Sequence, residues 1–376
     1  MNILIAPNSM KGSLSAFDFA GTMEKAFRDC SPEFSIRKVA VADGGDFTGE
    51  VLCRALGAAE VRLKVRDPLG WEVPSKYAVT GKTAIIEMAD ASGMKLLAPA
   101  DLDPLKSSSY GTGQLLKHAI NNGCSEILLG VGGSATVDGG SGMLEALGAQ
   151  FFDKNNHPVA GNGRNLLRIR RIQRPRFPGK ISVKVISDVK NPLLGENGAA
   201  KVFAPQKGAS PGMVERLEKG LAHWGKLLER ESQKELATLQ GAGAAGGVAL
   251  PLVAFFDAEL VAGGPFILSQ LHFGEHVKWA DWVITGEGKL DAQTLNDKAP
   301  AVVARAAREA GKPVLAVGGI LEQEASPAFD GMFCFLNGPV SPGKSIKEAQ
   351  AYLYRFSFEL ARLLKASRKT GNAPRK

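Results

Sequence analysis

Short apolar, β-prone runs recur along this chain, each followed by a glycine-rich or polar turn and then by a stretch of helical periodicity. That alternation permits few architectures. Strands that each hand over to a helix pair mainly in parallel, and the helices cover the sheet. Residues 2–6 form the first run, and the loop 7–13 opens a helix near 15–28. Residues 36–42 form the second, and Asp43-Gly44-Gly45-Asp46 leads into a helix at 48–56. Later come a helix at 113–121, a strand at 126–131, a helix at 142–147, and strands at 181–186, 282–285 and 313–317. Between 61 and 88 the pattern changes to apolar–polar alternation around Asp67-Pro68-Leu69-Gly70, which predicts antiparallel strands and a change of domain.

A chain of 376 residues is too long for one compact core. The last strands match the first in style, being short, fully apolar and of the open-sheet kind. The expected fold is therefore two-domain α/β: a Rossmann- or flavodoxin-like open-sheet domain from both chain ends, 1–60 and 278–364, with a second α/β domain, 61–277, inserted. Residues 365–376 read as a solvated basic tail. Sites are expected at the carboxyl ends of strands, in the cleft between domains.

The net charge of +8 suggests nucleic acid until it is located: five of the surplus positive charges lie in 365–376. A second basic stretch, 164–180, has Phe177 as its one aromatic and no nucleic-acid module, and reads as a charged surface connection. Cys30, Cys53, Cys124 and Cys334 are scattered without a CxxC pair, as reduced, mostly buried cytosolic thiols would be. The N-terminal run is too short for a signal peptide, and no stretch reaches the ~18 apolar residues of a membrane span. The expectation is a cytoplasmic protein with neither membrane nor nucleic-acid partner; the oligomeric state is left open.

The strongest local signal is ILLGVGGSATVDGGSGMLEALGA, 127–149. An apolar strand runs into Gly132, Gly133, Ser134, Thr136, Asp138, Gly139, Gly140 and Gly142 before a helix. Backbone N–H groups free of side-chain bulk at a helix start form an anion site, and the Ser134 and Thr136 hydroxyls add hydrogen bonds or reach a metal. Neither GxxxxGK[ST] nor GxGxxG is present, which weighs against P-loop ATPase and dinucleotide readings. A second cluster, Gly241, Gly243, Gly246 and Gly247, serves either ligand approach or close helix packing. Carboxylates follow strands: Asp43 and Asp46, then Asp188, then Glu287 with Asp291. Lysines accompany them, Lys11, Lys207, Lys289 and Lys298, a combination suited to phosphoryl transfer, which needs hard oxygen ligands for Mg²⁺ and cations around phosphate. His272-Phe273-Gly274-Glu275-His276 fits the HxxEH zinc pattern, but the segment is short and no third ligand is near.

Taken in order, NILIAPNSMKGSLSA, VADGGDFTGEVL, SSSYGTGQLLKHAI, the glycine-rich loop, SDVKNPLLGENGAAKVFAPQKGA, GAGAAGG and ADWVITGEGKLDAQTLNDKAPAVVA resemble the bacterial glycerate kinase family over about residues 1–320. The resemblance implies a two-domain α/β kinase using ATP and Mg²⁺, with D-glycerate as acceptor and 2-phosphoglycerate as the favoured product. On it rest the expected roles. Gly132, Gly133, Ser134, Thr136, Gly139, Gly140 and Lys289 hold ATP. Asp188 and Glu287 are the metal or phosphate-side carboxylates, and Asp291 receives the hydroxyl proton. Lys11, Ser13, Asp43, Lys207 and Lys298 serve the acid or the transferring group. The alternatives are a kinase of another small hydroxy acid and a catalytically silent ligand-binding relative. The chain departs from the family pattern at five positions: the family usually carries Asp at Asn8, Glu-Gly at Asp46-Phe47, Asn at Val137 and Gly at Asp297.

Overall fold

The computed structural model describes residues 1–376 except Lys11, Asp46, 176–178, Ala237, 296–297 and 372–376, and the side chains of 368–371. The strands among the described residues are β1 (Asn2–Ile5), β2 (Ser35–Lys38), β3 (Ala59–Arg66), β4 (Glu72–Thr80), β5 (Thr83–Glu87), β6 (Glu126–Gly130), β7 (Gln150–Phe152), β8 (Arg171–Gln173), β9 (Ser182–Ser187), β10 (Glu259–Ala262), β11 (Trp282–Leu290), β12 (Val314–Leu321) and β13 (Gly331–Cys334). They and the helices between them give the mixed α/β class expected from the sequence.

The chain divides into two compact units, Met1–Asp43 with Gly264–Lys376, and Gly44–Gly263. The divisions fall earlier than the 60/61 and 277/278 read from the sequence. Packing accounts for both shifts: the helix Thr48–Ala55 lies on β5, and the helix Phe273–Trp279 lies on β1.

The first unit holds an all-parallel sheet in the order β13-β12-β11-β1-β2. Successive strand side chains point to opposite faces, so Ile3 and Ile5 join Phe19, Met23 and Leu353 on one side. Leu4 joins Val283, Val303 and Val314 on the other. The helix Ala16–Cys30 begins where Ser15 accepts the N–H of Asp18. It packs against the C-terminal helix Ala349–Gly371. That helix corrects the reading of a tail from 365: Leu364 is buried and Lys365 donates to Ser31 Oγ at 3.1 Å.

Strands β11 and β12 run well past their expected ends at 285 and 317. The glycines that suggested a loop are needed by the ladder. A Cβ on Gly286 would stand 2.1 Å from Val317 O and 2.9 Å from the Phe19 ring. Glu287 therefore lies in β11, paired with Gly318, and only Asp291 follows the strand. Strand β2 is shorter than expected, yet Val39 and Val41 still donate to Ile5 O and Pro7 O. This carries the chain alongside residues 5–7 as far as Asp43.

The second unit holds a mixed sheet, β10-β9-β6-β5-β4-β3. Strands β3, β4 and β5 are an antiparallel meander, and β5, β6, β9 and β10 are parallel. One core, with Ile86, Leu115, Leu129 and Met143, packs on this sheet. Another surrounds Trp224, which is fully buried, stacks edge-on to Phe151 and donates to Gly139 O at 2.8 Å. The basic stretch from 164 includes the 3-10 helix Gly163–Arg168 and β8, whose Arg171 lies over the Phe152 ring. No described helix is long and apolar enough to cross a membrane. The four thiols are free, with Cys124 buried, Cys30 and Cys53 half-buried, and Cys334 exposed.

Candidate functional site

In the first unit the carboxyl ends of β1 and β11, with the segment beyond β2, bring polar groups into an apolar setting. Asn8, Asp43, Glu287 and Asp291 are each less than a tenth exposed. Asn8 Nδ2 donates to Asp43 Oδ2 at 3.0 Å, and the same oxygen accepts the N–H of Ala299 at 3.3 Å. Asp43 thereby fixes the start of the helix Ala299–Glu309.

Glu287 accepts from Thr294 Oγ1 at 2.8 Å. Burial pushes its carboxyl up to about 7, against the pull of Lys298 and Thr294 and with the added push of the Asp43 and Asp291 charges. Asp291 goes the other way. Burial raises it, but the Lys289 hydrogen bond, the Lys298 charge and the Gln293 N–H outweigh burial and hold it below the usual carboxylate range. Lys289 Nζ stands 3.2 Å from Asp291 and 2.7 Å from Glu322, and Lys298 Nζ stands 3.8 Å from Asp291.

The turn after β11 is held by a reciprocal pair: Asp291 Oδ1 accepts the Thr294 N–H, and Thr294 Oγ1 accepts the Asp291 N–H. Asp291 thus caps this turn and is tied to two lysines. Thr294, which links this turn to Glu287, was missed; the Asp-x-x-Thr spacing was its signal. Ser13 donates to Ile346 O, and Lys11 and Asp46 lie outside the described residues.

The second unit carries the glycine-rich loop between β6 and the helix Ser141–Ala146. Its interior is organised by Asp138, fully buried and accepting from Ser109 N, Ser109 Oγ, Gly140 N and Gly142 N. Burial holds this carboxyl above the ordinary range despite the four donors. The N–H groups at the helix start, expected to face phosphate, are therefore committed to Asp138 and, for Met143, to Ser109 Oγ. Gly139 N donates to Gly246 O, and a Cβ on Gly139 or Gly140 would meet Trp224 at 2.4 Å or Val248 O at 2.7 Å. These two glycines make a left-handed turn in a packed place. Thr136 is wholly buried, its hydroxyl turned inward without a partner among the described residues. Gly246 meets Thr136 O at 2.3 Å by the same test, so the second glycine cluster is the close packing of one segment on the other.

What stays partly exposed at the start of this loop is Gly132 and Gly133, with Ser134 buried behind them. Gly132 and Gly133 are half-buried, and no described group accepts their N–H. A Cβ on Gly132 would stand 2.5 Å from Gly45 C, and one on Gly44 2.9 Å from Ser187, so the 44–45 turn is wedged between the ends of β6 and β9. Asp188 follows β9 directly and is half-buried. Behind Ser134 lies Lys207, whose Nζ donates to Ser134 Oγ at 2.9 Å and Thr136 O at 2.8 Å. Burial lowers its pKa to about 7, although the Asp138 charge opposes this.

A family model described as the glycerate kinase family matches residues 3–365. The chain belongs to the glycerate kinase family. It is 43% identical over 333 residues to a glycerate kinase of Halalkalibacterium halodurans, covering 87% of this chain and 88% of that one. It is 41% identical over 330 residues to the glycerate 2-kinase of Escherichia coli, covering 86% of each. A crystal structure assigned to glycerate kinase 2 of Salmonella typhimurium LT2 superposes with a TM-score of 0.85 at 38% identity, covering 98% of this chain and 99% of that one.

The departures of this chain from the family pattern now have places. Asn8 is the neutral partner of Asp43, sparing a second buried negative charge beside it. Phe47 sits at φ 67°, the left-handed region, immediately before the helix Thr48–Ala55, and its side chain is exposed. A glycine there is free of strain; a phenylalanine is not. Val137 is not at the loop surface at all but fully buried in the Trp224 core. Asp297 lies outside the described residues. His272 precedes the short helix Phe273–Trp279 and His276 lies within it, and no described cluster of three His, Cys, Asp or Glu side chains has a metal-holding arrangement.

Proposed function

We propose that this chain transfers the γ-phosphoryl group of ATP to D-glycerate, with 2-phosphoglycerate as product. Its membership in a family named for glycerate phosphorylation supports the reaction class, and the name of the E. coli relative supports the 2-position. The observation that carries the chemistry is Glu287: a buried carboxyl pushed up to about 7, hydrogen-bonded by Thr294 and acted on by the Lys298 charge. A group that titrates near working pH is the effective proton acceptor for a substrate hydroxyl. We therefore assign that role to Glu287 rather than to Asp291, which positions Lys289 and Lys298 instead.

In this reading the two lysines stabilise charge on the acid and on the transferring group, and Asp43 holds the helix after Lys298 in place. Lys11 and Ser13 remain candidates for the acid's carboxylate. The turn 132–134 takes nucleotide phosphate. Mg²⁺ in such reactions needs only one or two protein carboxylates besides the phosphates, whose charge it offsets. Asp188 suits it. Glu287, which holds its proton near neutrality, suits it less. Glu287→Gln should lower kcat by about 10²–10⁴-fold while the KM for ATP changes little. Unchanged turnover in that variant would contradict the assignment.

A further inference from the structure

Lys207 is an interior amine without a carboxylate partner. It is 2% exposed, its two hydrogen bonds go to the neutral acceptors Ser134 Oγ and Thr136 O, and among the described residues it forms no salt bridge. The carboxylate whose charge reaches it, Asp138, is already engaged by four donors. Of the charged groups on the elements packed around it, Lys201 pairs with Glu196, Asp103 pairs with Lys106, and Asp101 is exposed to solvent. In front of Ser134 stand the two uncommitted N–H groups of Gly132 and Gly133, the latter left-handed at φ 66°, in a turn held against Gly45. Successive free amides in such a turn form an anion-binding concavity.

We propose that the turn 132–134, backed by Lys207, binds an oxyanion, a phosphoryl group of the nucleotide, and that Lys207 takes up a proton when it binds. This rests on the kinase reading and names the subsite within it. A neutral amine already makes both hydrogen bonds that Ser134 and Thr136 O require. A further proton adds a charge that stays in the interior only when an anion balances it. Burial, which brings the amine to about 7, leaves it mostly uncharged above neutrality and able to accept. The proton comes from the buffer and stays on Nζ, so binding a dianion adds one negative charge rather than two.

The carboxylate of the hydroxy acid is also an oxyanion, and calorimetry separates the two. The full chain is titrated with ADP, and separately with D-glycerate, at about pH 8 in two buffers of different ionisation enthalpy; ADP phosphates are already deprotonated there. ADP should bind with uptake of close to one proton, and D-glycerate with none. ADP affinity should fall up to about tenfold per pH unit above that point. Lys207→Arg, permanently charged, should bind ADP without uptake and without that pH dependence, and Lys207→Met should bind more weakly and also without uptake. Uptake with D-glycerate instead, ADP binding without uptake in the wild type, or no ADP binding would each overturn the proposal. Turnover of D-glycerate in a protein that shows no uptake would leave the kinase reading standing and remove this one. Uptake without turnover of any hydroxy acid would do the reverse.

Discussion

Glu287 and Asp291 are four residues apart and carry the same functional group, yet their surroundings drive them in opposite directions. A sequence cannot rank them, because the ranking depends on which lysine reaches which carboxylate. The consequence is measurable. kcat/KM should rise with pH to a plateau above about 7, following deprotonation of Glu287, and Glu287→Gln should lose that limb. A second residue-scale prediction concerns Phe47, whose left-handed backbone costs roughly 1–2 kcal/mol. Its ring is 43% exposed, so little burial is forfeited by removing it. Phe47→Gly should therefore stabilise the protein by about 1 kcal/mol in thermal or denaturant melts, and an equal loss instead would show the ring to be a packing residue.

At the scale of elements, the glycines did two jobs that composition alone does not separate. In 132–134 they leave N–H groups open, while in 139–140 and 241–247 they let backbones touch. Gly246→Ala places a methyl 2.3 Å from Thr136 O at φ 71° and should destabilise by several kcal/mol, read as a lower melting temperature and less soluble protein. The strand–turn–helix order was legible because each strand is a short apolar run bounded by turn residues. The lengths of β11 and β12 were not, since Gly286 and Gly318 look like loop residues until Phe19 and Val317 are seen against the first and Leu321 and Glu287 O against the second. The loop at 127–149 was located correctly as a strand-to-helix connection, but its hydrogen bonds were not foreseeable. Asp138 meets Ser109, 29 residues away, and Lys207 meets Ser134, 73 residues away.

For the whole molecule, Glu287 and Lys207 set opposite slopes of stability with pH. Glu287 has its pKa raised on folding from 4.5 to about 7, so the folded form binds the extra proton. Its contribution is present in full below 4.5 and is lost as pH rises through about 7, roughly 3 kcal/mol in all. Lys207 has its pKa lowered from 10.5 to about 7, so its penalty is greatest below 7 and is relieved as pH rises towards 10.5. Melting temperatures of Glu287→Gln should accordingly lack the decline between 4.5 and 7, and those of Lys207→Met should gain most over wild type at or below neutrality. The two-unit plan with an all-parallel sheet built from both chain ends follows from how the last strands match the first. The division at 43/44 depends on packing of the helix Thr48–Ala55 on β5, which no local pattern records.

The central claim is tested most directly by coupled ADP release from the purified protein with Mg²⁺-ATP and D-glycerate, the product identified by phosphorus NMR. Turnover giving 2-phosphoglycerate, slower with L-glycerate and other hydroxy acids, is the predicted result. Silence with D-glycerate, or faster turnover of a different hydroxy acid, would contradict it.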